Sequence, residues 1–309
     1  MPAKLDMVVF GQIEDLIPSW TRSLRARNKS PKTIRGYRET AEIFRAFLVN
    51  KGMPTALDRI GREHVEAFVE DQLARWKPTT ALTRYQALRQ FFLFAVEEGE
   101  LRDSPMARMK PPTIGEVPVP VVSDDDLRRL LRTVEGRDRA SFEHKRDAAI
   151  FRLFIETGCR LAEVANLTTG ELDLDLEVIV VTGKGSRVRS VPFGPKCATA
   201  LDRYLRLRSR HPKARSSSAL FLGPKGGLTD SGIAQVLRRR CDEAGISRLH
   251  PHQLRHTAAH AWLAAGGSET DAMRLFGWKS RQMLNCYGAS NADERAREAY
   301  WRLQPGDRL

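Results

Sequence analysis

Between Ser30 and Gly52 the apolar residues recur with a helical period. Ile34, Tyr37, Ile43, Phe44, Phe47 and Leu48 fall three or four residues apart, which gathers them on one side of a helix. Ser30 supplies an N-cap oxygen, Pro31 suits the first helical position, and Gly52 lies just past the end. The same period predicts a helix in "GREHVEAFVEDQLARW" and another in "TTALTRYQALRQFFLFAVEEGEL", where Leu82, Tyr85, Leu88, Phe92 and Ala95 share a face. The first hundred residues thus read as one all-helical module.

The pattern then breaks. "SPMARMKPPTIGEVPVPVV" holds five prolines in nineteen residues, a density that favours an extended connector. Helices resume at "SDDDLRRLLRTV", with acids in the first turn and basic residues later, as the helix dipole favours. A helix through "KRDAAIFRLFIET" stops at Gly158, and the next starts near Arg160. "LEVIVVTGKGSRVRSVPF" reads as two short strands around a Gly-Lys-Gly-Ser turn, a β-hairpin. Beyond it helices return, broken by "GPKGG" and "AAGG". In the helix opening at Pro251, the stripe Leu254, Ala258, Ala261 and Ala265 is expected to face the core, with His252, Arg255 and His256 opposite. The expected fold class is mainly α with a small β-hairpin. An all-helical domain (1–105) leads through a proline-rich linker (106–122) into a mixed α/β domain (123–309).

Charge narrows the function. The 309 residues carry a formal net charge of +13, divided as +5 up to Lys110 and +8 beyond it, so both domains are basic. Arginine dominates lysine, which suits a planar two-point grip on phosphate. A basic surface spread over two domains points to nucleic acid. No apolar run reaches membrane-spanning length, no lipid-binding amphipathic segment is evident, and the N-terminus lacks a signal-peptide pattern. Cys159, Cys197, Cys241 and Cys286 form no CxxC pair, which argues against a zinc ribbon or a disulfide scaffold and fits a reducing cytoplasm.

Four stretches carry candidate chemistry. "TGKGS" is no phosphate loop: five positions before Gly183 stands Val178, and Gly185 follows the lysine. What remains is Lys184 at a hairpin tip, either an ordinary polar turn or an ammonium able to reach a phosphate. In "TGCRLAEVANL", Arg160 sits at a helix–turn–helix corner with Glu163 one turn on, either a surface ion pair or an oriented guanidinium. "HPHQLRHTAAH" holds four of the seven histidines. Gln253 stands where the HExxH metal motif needs its glutamate, and Arg255 would repel a cation, so His252 and Arg255 fit a phosphate better than a metal. In "DAMRLFGWKSRQMLNCYGAS", Trp278 follows Gly277 and Tyr287 comes nine residues later. Tyr287 either packs or acts as a nucleophile activated by nearby cations.

Taken in order and spacing, these elements resemble the tyrosine recombinase (phage integrase) family. They are an Arg with Glu three on, a hairpin Lys, H-x-x-R, Gly-Trp, and a Tyr nine residues after the Trp. The helical first domain is similar to that family's SAM-like core-binding domain, and "RDAAIFRLFIETGCRLAEVANL", "VTGKGSRVRSVPF" and "HPHQLRHTAAHAWLAAGG" resemble its catalytic domain. The resemblance implies Tyr287 as nucleophile, Arg160 and Arg255 as the pair that neutralises the phosphate, and Lys184 as general acid at the leaving 5′-oxygen. His252 would assist proton transfer or bond the phosphate, Glu163 would hold Arg160 or His252, and His256 would pack or support them. Trp278 departs from the commoner histidine, and an indole can donate one hydrogen bond but cannot shuttle a proton.

The implied reaction is site-specific DNA strand exchange through a 3′-phosphotyrosyl intermediate, with no metal, ATP or other cofactor. Double-stranded recombination sites are the implied partners. A dimer is expected on each site and a tetramer in the synapse, with a C-terminal helix at about 291–303 docking on a neighbouring protomer. The enzyme would be cytoplasmic, on the nucleoid, and would serve a mobile element or Xer-like resolution. A type IB topoisomerase-like enzyme and a DNA-binding relative without catalysis are the alternatives; the helical first domain weighs against one and the complete residue set against the other.

Overall fold

The computed structural model describes residues 11–115, 120–135, 141–183 and 187–278, together with 297, 300 and 301. The chain divides into two compact units, Met1–Glu116 and Val117–Leu309.

Among its described residues the first unit holds four α-helices: α1 (Ile13–Ala26), α2 (Pro31–Asn50), α3 (Arg62–Arg75) and α4 (Pro78–Glu97). Ser30 caps α2 by accepting from Thr33 N at 3.1 Å. Gly52 follows α2 at φ 65°, a left-handed conformation that costs glycine little. Helix α1 is not among the elements predicted above; Pro18 lies inside it, where proline is normally disfavoured. Its residues are nonetheless central. Trp20 stacks on Tyr37 at 5.6 Å and meets Phe91 edge-on at 5.1 Å, while Phe44 packs edge-on against Phe68 and Phe92. Each aromatic ring so buried contributes roughly 1.5–3 kcal/mol. Tyr85 is also buried and donates from its hydroxyl to Met109 O at 2.8 Å, which ties the exit segment to α4.

The second unit opens with α5 (Asp124–Arg132) and α6 (Phe142–Thr157), followed by the short α7 (Leu161–Asn166). The expected hairpin forms from β2 (Val178–Gly183) and β3 (Arg187–Pro192), antiparallel with Val181 opposite Arg189. A two-residue strand, β1 (Leu172–Asp173), adds to β2, so the hairpin is part of a three-stranded sheet ordered β1-β2-β3. Next come α8 (Pro195–Arg208), a small ladder of β4 (Leu222–Gly223) with β5 (Gly226–Gly227), then α9 (Asp230–Ala244), α10 (Pro251–Ala264) and α11 (Glu269–Phe276). The stretch "GPKGG" is therefore a tight turn between strands and not only a break between helices.

The core of this unit lies between α6, α8, α9 and the inner face of β2, with Phe151, Phe154, Ile179, Leu201 and Tyr204 almost fully enclosed. Asp147 on α6 is completely buried and accepts from Arg146 at 2.7 Å and from Arg240 of α9 at 2.8 Å, so its charge is paired where an unpaired one would be costly.

Helix α10 corrects the expected stripe. Leu254, Ala258, Ala259 and Leu263 are its buried apolar residues, while Ala261 and Ala265 are exposed. Arg255 and His256, expected opposite the core, are buried too, at 1% and 9% exposure. The reason is that α10 packs against α6 on one side and α11 on another, so it has no single solvent-facing half.

Candidate active site

The site is built where α6 ends. Gly158 closes that helix at φ 55°, and a Cβ there would lie 2.6 Å from Phe276 Cε1. Only glycine combines that conformation with so close an approach. The turn delivers Arg160 as the N-cap of α7. Glu163 folds back to accept from Arg160 N at 2.8 Å and from its guanidinium Nη1 at 2.9 Å. This is no surface ion pair: the Glu163 side chain is 3% exposed.

Glu163 has a second partner, not anticipated from the motifs. Arg189 of β3 donates through both terminal nitrogens to the two Glu163 oxygens, at 2.9 and 2.8 Å. Burial alone would push the Glu163 carboxyl up, but the hydrogen bonds from Arg189 and from the Arg160 backbone outweigh it, together with the Arg189 charge and the hydrogen bond from the Arg160 guanidinium. They hold the carboxyl at a pKa of about 2. One signal in the sequence could have found Arg189. Side chains two apart on a strand share a face, and Arg189 stands two before Val191, which is core-facing and 2% exposed.

Arg255 approaches from α10. Its Nη1 donates to Gly158 O at 2.8 Å, its Nη2 to Phe276 O, and its guanidinium lies over the rings of Phe276 and Trp278 at 5.6 and 5.7 Å. Arg160 Nη2 reaches the next carbonyl, Gly277 O, at 3.3 Å. Arg160, Glu163 and Arg255 are thus brought together around the end of α11. Trp278 joins them, buried and stacked on Phe276 at a centroid distance of 5.0 Å. His252, one turn before Arg255, is exposed, and partial desolvation with the charges of Arg255 and Arg160 lowers its pKa. Lys184 and Tyr287 lie outside the described residues. So does the expected C-terminal helix, apart from Arg297, Tyr300 and Trp301, which are helical and exposed. Among the described residues, no group of three or more His, Cys, Asp or Glu could hold a metal ion.

His256 is buried behind this face, and burial, His252 and Arg255 together depress its pKa from 6.5 to about 4. It is therefore neutral at pH 7. The unfolded chain binds a proton there at higher pH than the folded one. The stabilising effect of a neutral His256 is complete above pH 6.5 and disappears as pH falls towards 4. We expect the melting temperature to fall across that window, by the equivalent of up to about 3 kcal/mol. His256→Gln should flatten the dependence; an unchanged profile in thermal melts at pH 4.5–7.5 would contradict it.

Comparison with known proteins places the chain in a family. Residues 120–294 match the model of the phage integrase family, and residues 17–99 match the phage integrase N-terminal SAM-like domain. The chain is 30% identical over 305 residues to tyrosine recombinase XerC of Oceanobacillus iheyensis, covering 95% of this chain and 97% of that one. Among solved structures, the Tn1549 transposon integrase in complex with transposon right end DNA shares the fold with a TM-score of 0.72 at 18% identity, covering 95% of this chain and 100% of that one. A lambda integrase tetramer bound to a Holliday junction matches with a TM-score of 0.69 at 16% identity, covering 90% of this chain and 80% of that one. A family model spanning more than half of the chain, and a relative matched along nearly its whole length, show that the chain belongs to the phage integrase family, as an Xer-like tyrosine recombinase.

Proposed function

We propose that this recombinase cleaves and rejoins DNA by transesterification at Tyr287, with Arg160 and Arg255 holding the scissile phosphate. The phenolic oxygen attacks phosphorus, the bond to the 5′-oxygen breaks, and the leaving oxygen takes a proton from Lys184. A 3′-phosphotyrosyl link and a free 5′-hydroxyl result. Attack by the 5′-hydroxyl of a second duplex reverses the step. One phosphoester replaces another, so the exchange needs no energy input from ATP, and the demand on the protein is positioning and charge neutralisation. His252 assists proton transfer at Tyr287 or bonds the phosphate, Trp278 packs under Arg255 and donates to a phosphate oxygen, and Glu163 holds Arg160.

One observation supports this reading above the others. Arg160 and Arg255, ninety-five residues apart in the chain, donate to the adjacent carbonyls of Gly277 and Phe276, which fixes two guanidinium groups side by side. Two such forks suit the non-bridging oxygens of a phosphodiester.

In this reading residues 1–105 bind core DNA, 106–122 link the domains, and 123–309 carry catalysis. Relatives solved with DNA include a tetramer on a Holliday junction. By analogy we propose a dimer on each site and a tetramer in the synapse, coupled by a helix at about 291–303. No helix of the described residues is long and apolar enough to cross a membrane, and we place the enzyme in the cytoplasm, on the nucleoid, acting in Xer-like resolution or for a mobile element.

The test is capture on a nicked double-stranded site, where loss of the short 5′ fragment traps the covalent complex. A protein–DNA adduct with its 3′ end blocked is expected, formed equally well in excess EDTA. Failure to trap any adduct, or loss of it in EDTA, would reject the proposal. Exchange between two sites, rather than relaxation of a supercoiled plasmid alone, separates recombination from topoisomerase action.

A further inference from the structure

The end of α11 is capped by three arginines from three different elements. Its final turn closes with Gly277 N donating to Arg274 O and Trp278 N to Met273 O, at 3.2 and 2.9 Å. That arrangement satisfies two of the carbonyls a helix end normally leaves open. The next three are each taken by a guanidinium: Leu275 O by Arg189 Nε at 2.9 Å, Phe276 O by Arg255, and Gly277 O by Arg160 at 3.3 Å. The negative end of the α11 dipole therefore faces the arginine cluster.

Of the three, Arg189 alone has no part in the reading of phosphate contact given above. It is also held on several sides. Its side chain is 14% exposed, it makes the two-point bond to Glu163, and its Nη2 lies 4.0 Å from Cys159 Sγ. Backbone closes in on both sides. A Cβ on Gly183 would lie 3.4 Å from Arg189 Nη1, and one on Gly277 would lie 3.3 Å from it. One planar fork thus spans β3, the Glu163 carboxylate on α7, and the end of α11.

We propose that Arg189 is a positioning residue, which locks Glu163 and the end of α11 into one unit and so sets where Arg160 and Arg255 stand. This rests on the reading of Arg160 and Arg255 as the phosphate-binding pair. It adds that their placement is controlled from behind, by a residue that touches no DNA. The same link fixes the point from which the chain leaves α11 towards Tyr287, nine residues beyond Trp278.

Among the described residues, the titratable and charged groups that face Glu163 are Arg160 and Cys159, from the turn before α7, and Arg189 from β3. Removing Arg189 takes away the partner that most opposes burial of the carboxylate. A protonated Glu163 could no longer hold Arg160 by charge. Loss of Arg189 should therefore bring the titration of Glu163 towards the measured pH range and add an acid-side dependence to that of the wild type.

The experiment measures single-turnover formation of the covalent complex on a nicked site from pH 5 to 9, in wild type, Arg189→Gln, Glu163→Gln, the double variant and Tyr287→Phe. Arg189→Gln is expected to lower the rate about 100-fold with little change in site binding, since a small misplacement of catalytic groups is enough. It should also gain an acid limb, which the double variant abolishes. The double variant should be no slower than Arg189→Gln alone. If Arg189→Gln does not fold, Arg189→Lys is read instead: it keeps the charge but cannot bond Glu163 and Leu275 together, and should be about tenfold slower with the same limb. A rate within threefold of wild type, or a slower rate with a profile of wild-type shape, would overturn the positioning role while leaving the proposed function standing. Adduct formation by Tyr287→Phe would instead reject the function itself.

Discussion

Tyr287→Phe is expected to abolish covalent capture of nicked DNA, a loss of at least about 10⁴-fold, while the protein still binds its site. The substitution removes one oxygen and leaves the ring, so packing around position 287 changes little. No other group can take over the attack by the same route. A phenol has a pKa near 10 and is a weak nucleophile at neutral pH unless cations or a base favour its deprotonation. In the proposed mechanism that environment would come from Arg160 and Arg255, held together at the end of α11, and from His252, whose pKa is lowered so that the imidazole is more readily neutral. Binding should survive because phosphate contacts spread over a basic surface dominate affinity. The measurement is adduct formation by denaturing gel beside a filter-binding or mobility assay at one fixed salt concentration. A normal adduct would remove Tyr287 from the role of nucleophile, and the proposed mechanism with it.

Arg255→Ala should be the next most damaging change, because it strikes catalysis and stability together. Arg255 is 1% exposed and is among the largest side chains fully enclosed in the protein. Truncation leaves the carbonyls of Gly158 and Phe276 without this donor, at about 1–3 kcal/mol for each buried acceptor, and opens space beneath the Phe276 and Trp278 rings. We expect about 3–5 kcal/mol less stability in denaturant unfolding. At a temperature where the variant is folded, we expect cleavage about 10²–10³-fold slower, as for removal of one preorganised donor. Arg255→Lys restores the charge but not the fork, so it should recover part of the stability and little of the rate. Cleavage by the alanine variant at a wild-type rate would separate Arg255 from the phosphate and leave it only a structural brace.

Much of the fold and the candidate site is legible in the chain itself, because its signals are local. Ser30, Pro31 and Gly52 bracket α2 by chemistry that acts within one turn, and the stop at Gly158 before Arg160 needs only a left-handed residue between two helices. The spacing of Arg160 with Glu163, of His252 with Arg255, and of Trp278 with Tyr287 is likewise a property of neighbours, as are the basic balance and the absence of a metal-binding motif. The order and spacing of these residues carry the resemblance to the family.

What lies between distant segments is not written locally. Helix α1 carries Pro18 in its interior, and its burial of Trp20 depends on α2 and α4. Arg255 was expected on an open face, since the period of one helix cannot reveal how many neighbours cover it; α6 and α11 together enclose it. Arg189 and Glu163 are twenty-six residues apart, and nothing in either segment announces the other. Their bond forms because the sheet packs on α7 through β2, with β3 beside it, and the carboxylate, once buried, must be paired. Local periodicity and capping thus determined the helices, the hairpin and the chemical inventory. Only the tertiary structure decided that three arginines from α7, β3 and α10 converge on the carbonyls of one helix end, because desolvated charges and open carbonyls select their partners across space and not along the chain.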